Sequence, residues 1–143
     1  MEKRLEVDIQ LIVHGTEDLE KIFAAFKETF DVDREEFDAQ NLTGHFENPI
    51  ILLHSKIKKK KAQFFVKKLI ASIPREQVDT IIEDLENRYD DSTLYLRISK
   101  QSLVTGQIVL SDKEPVKIKI FTPIYKHADI EATFTRLLTQ GTN

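Results

Sequence analysis

From Leu5 to Val13 every second residue is apolar: Leu5, Val7, Ile9, Leu11 and Val13, separated by Glu6, Asp8 and Gln10 in the first part of the run. Period-two alternation fits a β-strand with one buried and one wet face, and does not fit a helix. The pattern returns twice. Leu94, Leu96 and Ile98 alternate with Tyr95 and Arg97, and Val116–Ile124 alternates with Lys117 and Lys119 on one side. Strands of this kind need one apolar layer over one face only.

Segments with helical spacing supply that layer. Leu19, Ile22, Phe23, Phe26 and Phe30 repeat along a first helix, for which Thr16 is the expected N-cap with Glu17 and Asp18 in the first turn. Phe37 to Phe46 reads as a weaker strand ending near Gly44, Asn48-Pro49 as a turn, and Ile50 to Ile57 as its hairpin partner. A second helix is expected from about Lys58 to Ser72. A third has Pro74 at its first position and ends near Tyr89. Asp90-Asp91-Ser92 reads as a loop, and Ser99–Thr105 as a helical turn closed by Gly106. Gln107–Leu110 reads as a short strand, and His127–Leu138 as a last helix with a frayed tail. Too few βαβ units occur for a doubly wound sheet. The expectation is an α+β fold: an antiparallel or mixed sheet, helices packed on one face, the other face polar and open. The 143 residues suit a single domain, 1–143, with an ordered core of about 5–138.

The chain has no cysteine, which excludes disulfides and thiolate metal sites and fits a cytoplasmic protein. No apolar run has the length of a membrane span, and the N-terminus lacks the apolar stretch of a signal peptide. The net charge of −3 argues against a nucleic-acid partner, but the charges are segregated. His54–Lys68 holds seven lysines (56, 58, 59, 60, 61, 67 and 68) and no acid, whereas Glu17–Asp38 holds nine acids against three bases. Local charge sets local potential.

Written as a helix, residues 58–73 place Ala62, Phe65, Val66, Leu69, Ile70 and Ile73 on one stripe. Lys60, Lys61, Phe64, Lys67, Lys68 and Ala71 fall opposite. Two features there work against stability. Lysines open the helix, where its dipole disfavours positive charge, and an aromatic ring sits among them. Both make sense if phosphates lie along this face and Phe64 stacks on an unpaired base. The ordinary alternative is a solvated lysine face paired with acids, with Phe64 covered by the third helix or a dimer partner.

Tyr95, Arg97, Lys117, Lys119 and Phe121 fall on the polar side of later strands, a set that readers of single-stranded RNA use. Against this, Glu6 and Asp8 share that side and would repel phosphate, so an ordinary wet sheet face remains the competing reading. The histidines (14, 45, 54 and 127) lack the spacing of a helical metal pair. His14 reads as a turn residue bonded to backbone or as a general base. Asp90-Asp91 is a weak cation candidate. No phosphate-cradling glycine loop, nucleophile elbow or zinc-hydrolase motif is present. The expectation is a binding protein, not an enzyme, with no cofactor and no metal.

Three stretches resemble a known family: His14-Gly15-Thr16-Glu17-Asp18 with Glu20-Lys21, Gly44-His45-Phe46-Glu47-Asn48-Pro49-Ile50, and Leu94-Tyr95-Leu96-Arg97-Ile98-Ser99-Lys100-Gln101. They are similar, in order across residues 5 to 138, to an archaeal family of RNA-binding, exosome-associated subunits, and to an uncharacterised archaeal group with a ribosomal protein L5-like fold. The resemblance implies an L5-like α+β sandwich, an archaeal cytoplasmic setting and RNA as partner, and brings no catalytic residues. The expected RNA-binding residues are Lys56, Lys58, Lys59, Lys60, Lys61, Phe64, Lys67 and Lys68, extended by Arg97, Lys100 and Gln101. The function expected is an accessory factor of RNA processing or degradation. The alternative is a protein–protein adaptor or homodimeric scaffold without direct RNA contact.

Overall fold

The structure, a computed structural model, describes residues 4–43 and 49–140. The alternating segments become β1 (Glu6–His14), β5 (Thr93–Ser99) and β6 (Pro115–Phe121). With β2 (Phe37–Thr43), β3 (Pro49–Lys58) and β4 (Tyr89–Asp90) they form one antiparallel sheet in the order β2-β3-β1-β6-β5-β4. Helices α1 (Leu19–Phe30), α2 (Lys59–Ser72), α3 (Arg75–Glu83), α4 (Lys100–Val104) and α5 (Ile130–Gln140) complete the fold. The sheet's inner face buries Val7, Ile9 and Leu11 of β1, Leu53 and Ile57 of β3, and Leu94, Leu96, Ile118 and Ile120 of β5 and β6. Against it pack Phe26, Phe30, Phe65, Val78 and Phe134 from the helices, all but sealed from solvent. The ring of Phe65 lies 4.1 Å from that of Phe30, which joins α1 to α2.

The residues alternating with these face outward. Register sets them in rows across the sheet. One row runs Asp38, His54, Gln10, Lys117 and Arg97; the next runs Lys56, Asp8, Lys119 and Tyr95; a third runs Lys58, Glu6, Phe121 and Thr93. The open polar face expected from period two is therefore real.

Several boundaries differ from the sequence reading. The α1 cap is Asp18, whose carboxylate accepts from the N–H groups of Glu20 and Lys21; Thr16 is not the cap, because the chain turns at His14 and Glu17 is engaged elsewhere. Lys58 ends β3, and Lys59 turns the chain into α2 with φ of 57°. Pro74 is the N-cap of α3, not its first residue. That helix stops at Glu83, short of Tyr89. A 3-10 turn over Leu85–Asn87 follows, and the Arg88 carbonyl accepts from the Tyr95 N–H, which draws Tyr89 and Asp90 into a hairpin with β5. Asp90 is thus in a strand and only Asp91-Ser92 turn. Gln107–Leu110 forms no strand; it contributes a single bridge from Leu110 to Ile98. β6 ends at Phe121, two residues before Pro123, which has no N–H to give a ladder. His127–Asp129 is a 3-10 turn ahead of α5. Gly44–Asn48, where a strand end and a turn are expected, lie outside the described residues.

One internal ion pair ties both ends of the sequence pattern together. Lys100, at the start of α4, is 2 % exposed. Its Nζ donates to the Ile12 carbonyl at 2.7 Å and to Glu17 Oε1 at 2.8 Å. Glu17 also accepts from the His14 N–H at 2.8 Å. Burial pushes the Glu17 carboxyl pKa up, but the His14 N–H and the Lys100 ammonium outweigh it and hold the group below the usual carboxylate range. Removing one partner of such a pair costs about 3–5 kcal/mol, because the other charge is left buried. Glu17→Ala is therefore expected to lower stability by about 3 kcal/mol or more, and Glu17→Gln with Lys100→Met to recover most of that. The lowered carboxyl pKa makes its contribution full above the ordinary glutamate range and lost as pH falls through the folded value. Urea melts of the parent and the double variant at neutral and acidic pH check both points; the parent alone should show the added acid sensitivity.

Candidate nucleic-acid interface

The lysine helix is built as its spacing requires. Ala62, Phe65, Val66, Leu69 and Ile70 are buried, and Lys59, Lys60, Lys61, Phe64, Lys67 and Lys68 face outward. Phe64 is 50 % exposed, whereas the adjacent Phe65 is fully buried. α3 does not cover the ring. Along the helix Lys60, Phe64, Lys67 and Lys68 lie on one side over about 12 Å. No side chain caps the helix start, and no acid stands in its first turn.

The acidic run around α1 takes up some of the cations. Lys61 Nζ lies 2.9 Å from Glu36 and 3.7 Å from Asp33, and the hydrogen bond to Glu36 raises its pKa. Lys27 bridges Asp31 and Asp33 at 2.8 Å each, and Arg34 pairs with Glu20 at 2.7 Å. Lys59, Lys60, Lys67 and Lys68 have no ion partner among the described residues. The helix therefore keeps four uncompensated ammonium groups and one exposed ring.

The other sequence candidates stand elsewhere. Lys56, Lys58 and Arg97 lie on the open sheet face, on the opposite side of the molecule from the α2 surface. Lys56 is 3.8 Å from Glu6, and Arg97 is 3.6 Å from Asp112. Lys100 is interior, with its ammonium spent on Glu17 and Ile12. Gln101 is exposed beside a cavity of about 210 Å³ next to Lys100. Ten of the eleven candidates thus separate into a helix face, a sheet face and an internal clasp, and Gln101 stands apart on the surface of α4.

Two of the histidines stand beside carboxylates. His14 Nε2 is 3.2 Å from Glu114, and His54 Nε2 is 3.3 Å from Asp8. The latter pair was not visible in the sequence: residues 46 positions apart meet only through the β1–β3 register. Among the described residues no three His, Asp or Glu side chains gather as a metal site. Among the described residues no helix is long and apolar enough to cross a membrane.

A family profile described as RNA binding matches residues 6–122. The chain belongs to this RNA-binding family. An RNA-binding protein of Pyrococcus abyssi is 30 % identical over 137 residues, covering 88 % of this chain and 88 % of its own. An uncharacterised protein of Methanocaldococcus jannaschii is 27 % identical over 136 residues, covering 87 % and 91 %. A crystal structure of a DUF54 protein of Archaeoglobus fulgidus superposes with a TM-score of 0.78 at 28 % identity, over 94 % of this chain and 99 % of that one.

Described residues of the three stretches that resemble the RNA-binding family, Gly15 and Glu17, Pro49, and Lys100, meet at one end of the sheet. Gly15 N–H donates to the Pro49 carbonyl at 2.9 Å, and a Cβ at Gly15 would stand 2.5 Å from Pro49 Cγ. Lys100 reaches back to Glu17. These motif residues fasten the fold, and the outward lysines of α2 lie outside them. Phe64 and Phe65 separate the two roles. Phe65→Ala is expected to cost about 3–5 kcal/mol, and Phe64→Ala to stay within about 0.5 kcal/mol of the parent, as thermal melts of the two variants will read.

Proposed function

We propose that this chain binds RNA without catalysing a reaction, and that the outward face of α2 is its main electrostatic contact. The observation that carries the reading is the set Lys59, Lys60, Lys67 and Lys68, which have no ion partner among the described residues and stand around a half-exposed Phe64. Uncompensated ammonium groups release counterions when they meet phosphates, and this release supplies nearly all of sequence-independent nucleic-acid affinity. The backbone adds support. Lys59 adopts a left-handed conformation that ordinary residues hold at a cost of roughly 1–2 kcal/mol. A lysine standing where glycine or asparagine would be easier fits a position kept for its charge.

The family description and the name of the Pyrococcus abyssi relative point the same way. An accessory position in RNA processing or degradation, association with an exosome and the L5-like classification of the fold rest on the resemblance set out above, and belong to this proposal. Lys61 is left out of the contact set because Glu36 holds it, and Lys100 because it is buried.

Lys60→Glu, Lys67→Glu and Lys68→Glu together are expected to abolish binding to an RNA duplex and to weaken binding to single-stranded RNAs while the thermal melt stays near the parent's. The parent's log affinity should fall with log salt with a slope of about −3 for four phosphate contacts on a single strand. Fluorescence anisotropy across a salt series measures both. Parent-like binding by the triple variant refutes the assignment to α2.

A further inference from the structure

The open sheet face divides into two unlike halves. On the β1–β3 half, each carboxylate of β1 has a basic side chain of β3 beside it. Asp8 lies 3.3 Å from His54, and Glu6 lies 3.8 Å from Lys56. These are the two carboxylates that argued against phosphate on this face, and both lean toward β3. On the β5–β6 half the balance is different. Lys117 has no ion partner among the described residues, and Lys119 sits over the Tyr95 ring at 5.8 Å. Arg97 meets only Asp112, at 3.6 Å, whose side chain is 89 % exposed; a pair so exposed contributes little and opens readily.

Two aromatic rings stand among these cations. Tyr95 is 40 % and Phe121 38 % exposed. Tyr95 is opposite Lys119, and Phe121 is opposite Thr93, so the rings occupy diagonal positions on neighbouring strands of one face. Such positions lie about 7–8 Å apart, a reach that successive nucleotides of an extended strand cover. A groove of about 840 Å³ and an adjoining depression of about 380 Å³ share Asp8, Tyr95 and Lys119 along this surface.

We propose that the β5–β6 half of the open face binds single-stranded RNA. Tyr95 and Phe121 each take an unpaired base, and Lys119, Lys117 and Arg97 take the adjoining phosphates. The proposal rests on the RNA reading above and adds a second surface with a different preference. Flat rings on an open sheet stack on bases only where those bases are unpaired, because a duplex keeps its base faces inside the stack. The α2 face offers mainly charge and accepts either form.

The test uses the full chain with two labelled probes, an oligouridine and an RNA duplex of the same length. Tyr95→Ala combined with Phe121→Ala is expected to weaken oligouridine binding at least about tenfold and to leave duplex binding unchanged. Tyr95→Phe retains the ring and should restore most of the affinity lost on Tyr95→Ala. Lys117→Glu, distant from the core, should weaken oligouridine binding even if the aromatic variant folds poorly. The chain has no tryptophan, so tyrosine fluorescence in a Tyr89→Phe, Tyr125→Phe background reports Tyr95 alone, and oligouridine should quench it. Parent-like oligouridine affinity in the double alanine variant overturns the proposal, as does equal loss on both probes or an unquenched Tyr95. The α2 triple variant separates the two readings: if it binds both probes normally while the ring variant loses oligouridine, the α2 assignment falls and the sheet site stands. A parent chain that binds neither probe overturns both, and a protein captured through these rings in place of RNA overturns this one.

Discussion

A buried ammonium organises one end of this molecule. Lys100 has given up water, and the effective penalty for that is several kcal/mol. It is offset only because the Ile12 carbonyl and the Glu17 carboxylate are both in place. Ile12 belongs to β1, Glu17 to the turn before α1, and Lys100 to the helix that follows β5. The ion pair therefore fixes how α1 and α4 sit at one end of the sheet, across strands distant in sequence. Gly15 against Pro49 closes the same corner from the β3 side. With that corner fixed, the register of β1 decides which residues face the helices and which face outward.

That register produces two surfaces of opposite construction. One is the outer side of a helix whose inner side carries Phe65 and Leu69 into the core. The other is the bare face of the sheet. Each collects cations, but by different means. On α2 the lysines are left over once the acids near α1 have paired with Lys27, Arg34 and Lys61. On the sheet, Lys117 and Lys119 are left over once Glu6 and Asp8 have turned to β3. Pairing partitions the charge, and among the described residues what it leaves without an ion partner on α2 and on β5–β6 is basic.

Local order was legible in the sequence wherever a period alone decides it. Period two gave β1, β5 and β6 and their wet face. The helical stripe of α2 separated Phe65 from Phe64 before any coordinates. What was hidden depends on long-range register or on competition. Lys100 reads as an exposed strand-end lysine until β1 and α1 are brought beside it. Thr16 reads as a cap until Glu17 is taken by Lys100 and the helix start moves to Asp18. Glu6 and Asp8 read as repulsive to phosphate until β3 places Lys56 and His54 next to them. Residues 107–110 have strand-like composition, yet the chain there crosses the end of β5 and pairs once, at Leu110.

The net charge of −3 is a poor guide to partners for the same reason. In physiological salt an exposed charge is felt over about 8 Å. A phosphate beside Lys67 and Lys68 senses those two groups and their immediate neighbours, not carboxylates beyond that distance. Acids already in contact with a lysine or arginine contribute little beyond their partner. The field at each surface is set by its unpaired residues. An acidic protein can therefore present a basic helix and a basic half-sheet on a surface that is otherwise negative.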